Sequence, residues 1–103
     1  MDGKLGKKKK LRSPNDPYIS DLSWYVYIIE CLNGKLYTGI TNDLERRFRA
    51  HQRGKGAWFT RVFGVNKIVY TERHPDKSAA FKREREVKKL TRAKKLELIG
   101  MDK

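Results

Sequence analysis

From Met1 to about Ser23 the apolar residues are sparse and follow no period. The stretch combines a lysine run, two prolines and several turn formers, a composition that cannot bury enough apolar surface to order itself. Residues 1–23 are therefore expected to be a disordered, lysine-rich tail. The pattern then changes. Trp24 to Cys31 reads as a strand of β-branched and aromatic residues. Both of its faces are apolar: Trp24, Val26 and Ile28 on one, Tyr25, Tyr27, Ile29 and Cys31 on the other. A strand of that kind belongs in the centre of a sheet, covered on each side. Leu32-Asn33-Gly34-Lys35 contains Asn-Gly, a strong hairpin signal, so Leu36 to Thr41 is the antiparallel partner strand.

After Thr41 the period becomes helical. A helix is expected from Asp43 to Arg53, ending at Gly54, with Asn42 as its cap and Glu45 three residues on. Trp58 to Val62 reads as a short helical turn that gives aromatics to the core. Lys67 to Glu72 is a third strand, broken by His74-Pro75-Asp76, with His74 an exposed loop residue. A long helix follows from Lys77 to Leu90, capped by Asp76 or Ser78. Thr91 caps a last helix whose Leu96 and Ile99 pack back. The fold expected over residues 24–103 is α/β: a small three-stranded antiparallel sheet flanked by helices, in the order ββααβαα.

Charge sharpens this picture. The chain of 103 residues has a net charge of +13. Beyond Ser23 there are 19 basic and nine acidic residues, so the folded part holds +10. A domain this basic points to nucleic acid more than to a membrane. No apolar run reaches membrane-spanning length, and no signal-peptide apolar region follows the lysines. The single cysteine, Cys31, cannot form an internal disulfide, which fits a reducing, cytoplasmic setting.

Two helical positions are chemically unusual. Leu44, Arg47, Phe48 and His51 share one face of the first helix, so an arginine and a histidine lie on the stripe that meets the core. Arg46 instead neighbours Asn42, Asp43 and Arg49, and is the solvated arginine. Arg47 is open to two readings: an ion pair within the fold or a ligand for an anion. Glu84 neighbours Ala80, Phe81 and Val87, an apolar setting in which a carboxylate needs a partner, a proton or a metal. Arg47 could be that partner. The Gly54-Lys55-Gly56-Ala57 turn is either an ordinary helix-ending loop or a phosphate contact.

Taken together, these residues resemble the GIY-YIG nuclease family, in its small bacterial single-domain branch. The half-motifs stand as Tyr25-Val26-Tyr27 and Tyr37-Thr38-Gly39, with Arg47 eight residues beyond Gly39, His51 a turn later and Glu84 on the following long helix. The GKGA turn at residues 54–57 and the Lys89-Leu90-Thr91-Arg92-Ala93-Lys94 ending fit the same branch. Tyr25 replaces the usual glycine, Val26 and Thr38 the usual isoleucines.

The resemblance implies a metal-dependent endonuclease hydrolysing DNA phosphodiester bonds, structured or nicked DNA included. It implies Tyr27, Tyr37, Arg47, His51 and Glu84 as catalytic residues, with Gly39 and Asn42 as motif positions. Glu84 would hold one divalent ion, Mg²⁺ or Mn²⁺. Tyr27 would activate or position water, oriented by Tyr37, with His51 a rival base or phosphate contact. Arg46, Lys35 and Lys55 are the expected nucleic-acid contacts. Neither a membrane nor a small-molecule cofactor is expected. The competing reading is a non-catalytic nucleic-acid-binding module of nuclease ancestry.

Overall fold

The computed structural model describes residues 23–101. The expected tail falls outside the described residues except for Ser23, which is buried and accepts a 3.0 Å hydrogen bond at Oγ from Arg73 Nε. The elements follow in the order β1 (Trp24–Cys31), β2 (Leu36–Thr41), α1 (Leu44–Gln52), α2 (Trp58–Phe63), β3 (Val65–His74), α3 (Lys77–Lys88) and α4 (Arg92–Met101). The sheet is antiparallel, with strand order β2-β1-β3, so the doubly apolar strand is the central one as expected.

Strand alternation divides the core into two layers. Val26 and Ile28 point to one face and pack with Tyr70 of β3, Ala80 and Val87 of α3, and Leu98 and Ile99 of α4. Tyr27, Ile29 and Cys31 point to the other and pack with Tyr37, Leu44, Phe48, Phe59 and Phe63. The hairpin turn closes through Cys31 N to Lys35 O at 2.8 Å and Gly34 N to Cys31 O at 2.9 Å. Gly34 sits at φ +86°, a left-handed conformation that side-chain-bearing residues adopt at a cost.

Several local expectations are corrected. The α1 cap is Asp43, not Asn42: the Asp43 carboxylate accepts from Arg46 N at 3.1 Å, while Asn42 is exposed. Strand β3 is longer than Lys67–Glu72, because β1 pairs with it along its whole length, from Trp24 opposite His74 to Cys31 opposite Val65. His74 thus ends a strand and is half-buried, with Nε2 2.8 Å from Glu72 Oε1. Helix α3 stops at Lys88 and is capped by Asp76, which accepts from Ala79 N. Phe59 and Phe63 reach the core, but Trp58 is 63% exposed. Leu96 also faces outward, and Leu98 takes the packing place expected for it.

Candidate active site

Strand register brings the two tyrosines together. Tyr27 lies opposite Gly39 and Tyr37 opposite Ile29, so both phenols stand on the same sheet face, beneath α1 and α2. Their ring centroids are 6.4 Å apart. Gly39 is required by this arrangement: a Cβ there would lie 2.5 Å from the Tyr27 hydroxyl oxygen. The missing side chain is the space the phenol oxygen occupies.

Helix α1 lowers His51 onto the pair. Its ring is 5.2 Å from that of Tyr37 and 5.9 Å from that of Tyr27, and its Nε2 is 2.9 Å from Tyr27 Oη. On the other side Nδ1 is 2.6 Å from Thr60 Oγ1 of α2. Tyr27, His51 and Thr60 are at most 2% exposed. The proton positions follow from the partners. Thr60 donates its one hydroxyl proton to Ala57 O at 3.1 Å, so it must accept from His51 Nδ1–H. His51 Nε2 is then bare, and Tyr27 donates to it. Gly56 completes the packing, because a Cβ at that position would lie 2.2 Å from His51 Nδ1.

Burial sets the charges. It lowers His51 to about 4, helped by the nearby Arg47 guanidinium, so the ring is neutral at pH 7. It pushes Tyr27 up to about 12 although Arg47 acts in the opposite direction. The Tyr27 phenol in turn holds the Arg47 guanidinium more firmly in its charged form. Arg47 is half-buried, and its Nε is buried without a hydrogen-bond partner. An orphaned buried donor costs about 1–3 kcal/mol, so a partner from outside the chain gains that much. An open cleft of about 280 Å³ lies here, lined by Thr41, Asn42, Asp43, Arg46, Arg47 and Ala50.

Glu84 comes from α3 on the other layer of the sheet, yet its carboxylate is near enough that its charge adds to the upward push on the Tyr27 phenol. It shares with Ala80 and Val87 the face of α3 that packs on the Val26–Ile28 layer. Its ionic partner is Lys88, with Nζ 3.3 Å from Oε2, and not Arg47. Among the described residues, no three His, Cys, Asp or Glu side chains converge on a metal-sized space. One carboxylate suits a hard divalent ion that takes its remaining oxygens from a phosphate and water. The other orphaned polar atom, Thr38 Oγ1, lies on Glu84's face of β2. Glu84 and Thr38 therefore lie on one side of the edge strand, and Tyr37 and Gly39 face the other.

The sequence reading located Tyr27, Tyr37, Arg47 and His51, and the structure brings these four together. Arg46, Lys35 and Lys55 are exposed. Thr60 and Gly56 escaped that reading. The available signal was a lone hydroxyl within the aromatic run Trp58-Phe59-Thr60, four residues after a glycine.

A ββααβαα sheet whose paired tyrosines meet an arginine and a histidine of the next helix defines a GIY-YIG catalytic domain, and the profile of that domain matches residues 23–97. The chain belongs to the GIY-YIG family, and its relatives there include the small UPF0213 proteins. It is 52% identical over 76 residues to the UPF0213 protein of Clostridium perfringens, covering 74% of this chain and 82% of that one. It is 48% identical over 77 residues to a UPF0213 protein of Staphylococcus aureus, covering 75% and 94%. A solution NMR structure of a UPF0213 protein from Bacillus halodurans aligns with a TM-score of 0.51 at 45% identity, covering 78% of this chain and 85% of that one.

Proposed function

We propose that the chain is a metal-dependent endonuclease that hydrolyses DNA phosphodiester bonds. The observation that carries this reading is the orphaned Nε of Arg47, set beside a tyrosine that is hydrogen-bonded to a neutral histidine. Arg47 receives a non-bridging phosphate oxygen and holds it as negative charge develops on phosphorus. Tyr27 takes a proton from the attacking water while passing its own to His51 Nε2. A phenol pushed up to about 12 is a poor base alone at neutral pH, so its proton needs an acceptor as the water's arrives, and the bare His51 Nε2, itself a weak base at about 4, is the one within reach at 2.9 Å. The water oxygen bonds to phosphorus as the bond to the 3′ oxygen breaks. The buried imidazolium, acidic because its pKa is about 4, then gives its proton back to the Tyr27 oxygen as Tyr27 releases its own to solvent, which restores the neutral pair. Tyr37, packed against both rings, fixes their orientation. Glu84 would hold an Mg²⁺- or Mn²⁺-type ion, which would supply positive charge for the leaving oxygen.

Plasmid cleavage with Mg²⁺ or Mn²⁺ tests the reading. Arg47→Ala should remove cleavage and keep most binding, whereas Arg46→Ala should mainly weaken binding. Glu84→Gln should abolish cleavage and leave thermal unfolding close to wild type, since its Lys88 partner is half exposed. A Glu84→Gln protein that still cuts would falsify the metal-ligand role. The Glu84–Lys88 pair also favours a second reading, a binding module whose carboxylate is satisfied internally. Intact DNA binding with no wild-type cleavage under either metal is its signature.

A further inference from the structure

A second groove lies at the opposite end of β2 from the Arg47 cleft. It has a volume of about 220 Å³ and is lined by Lys35 and Leu36 of the hairpin, Phe59 of α2, and Arg92 and Lys95 of α4. Among the described residues no carboxylate lines it. Among the described residues none of its three cations forms an ion pair, whereas Arg49, Arg83, Lys88 and Lys94 all do. Lys94, next to Lys95, turns to Glu97 at 3.8 Å. The groove is also pre-set. Arg92 Nη1 donates to Gly34 O at 3.0 Å, which ties α4 to the hairpin turn and fixes the guanidinium at the groove. Lys95 is half-buried and lines the groove beside Leu36 and Phe59.

Its position relative to the catalytic pair is what gives the groove a use. Leu36 precedes Tyr37, and the Phe59 ring lies 5.9 Å from that of Tyr37, which is 5.2 Å from His51. One aromatic wall separates the groove from the tyrosine–histidine pair. Leu36 and Thr41, which lines the Arg47 cleft, are five strand residues apart, roughly 16 Å at a rise of about 3.3 Å each. A nucleic-acid strand advances about 3.4 Å per phosphate along a duplex axis. The same strand can therefore place one phosphate at Arg47 and another, about five nucleotides along, in the groove.

We propose that Lys35, Arg92 and Lys95 form a phosphate-binding subsite that anchors the substrate strand beyond the bond to be cut. It rests on the nucleic-acid reading of the active site. The subsite has a fixed arginine fork for the non-bridging oxygens, two ammonium groups, and an apolar wall for the adjoining sugar or base. It holds the strand along the β2 edge and sets its register against Arg47.

Binding of the full chain to a short duplex, followed by fluorescence anisotropy across a salt series without divalent metal, tests the subsite. Lys95→Ala should weaken binding about tenfold, as for loss of a charge-assisted contact. It should also lower the salt slope by about 1. Lys67→Ala is the control, because Lys67 is exposed on β3, the other edge of the sheet. It removes the same charge and should change little. Arg92→Ala should resemble Lys95→Ala, with circular dichroism confirming that α4 survives without its link to Gly34. Equal effects of Lys95→Ala and Lys67→Ala on slope and affinity would overturn the proposal. The measurement needs no turnover. A protein that shows the Lys95 effect yet never cuts keeps the subsite and loses only the nuclease reading.

Discussion

The most informative residue is Thr60, because its hydroxyl decides which nitrogen of His51 is bare. Thr60→Val keeps the shape and removes the acceptor, leaving Nδ1–H buried without a partner. We expect a loss of about 1–3 kcal/mol in stability and a ¹⁵N spectrum in which His51 is no longer held in the Nδ1–H form. With only two histidines in the chain, that assignment is direct. Thr60→Ser should restore both the tautomer and the cleavage that Val removes. An unchanged tautomer in Thr60→Val would remove Thr60 from the site. At this scale the sequence was legible where a polar group broke an apolar stripe, as Arg47 and His51 do. Thr60 was not, since a threonine in a short aromatic helix is unremarkable until its partner across the turn is known. Gly56 was read as loop chemistry, but the structure shows contact with the His51 ring as its role.

At the scale of elements, the order of strands and helices could be read because β1 is apolar on both faces and Asn33-Gly34 fixes the hairpin. The start of α1 shows where local rules compete. Asn42 and Asp43 both favour caps, and Glu45 three residues after Asn42 pointed to the wrong one. The backbone gives the place to Asp43, which is extended at φ −150° and bonds Arg46 N. Asp43→Ala should cost about 1 kcal/mol and Asn42→Ala a few tenths at most, read as urea midpoints. Equal shifts would contradict the cap. The Arg47–Glu84 ion pair, which the sequence left open as an alternative, is absent for a different reason. Helical neighbours show that each side chain points inward, but not that α1 and α3 cover opposite faces of the sheet. Only the pairing of β2 and β3 around β1 settles that.

For the whole molecule, the buried site defines a pH window. His51 falls from an ordinary 6.5 to about 4, so its contribution is complete above pH 6.5 and is lost as pH falls through 4, roughly 3 kcal/mol in all. Tyr27 and Tyr70 rise from 10 to about 12, chiefly by burial, so their contribution is complete below pH 10 and is lost as pH rises through 12. Stability should form a plateau between those limits. His51→Gln should flatten the acid side, and an unaltered acid slope in that variant would place its cause elsewhere. Strand β2 has a further consequence. Among the described residues it pairs only with β1, yet Tyr37 and Gly39 look to one side of it and Thr38, toward Glu84, to the other. Both sets of proposed site residues hang on a border strand, held by one neighbour rather than two and so prone to open early. Warming or mild urea should therefore silence the protein before it unfolds, with amide deuteration rising in residues 36–41 ahead of β1. Its working range is set by how long one outer ribbon stays zipped, not by how well the core is packed.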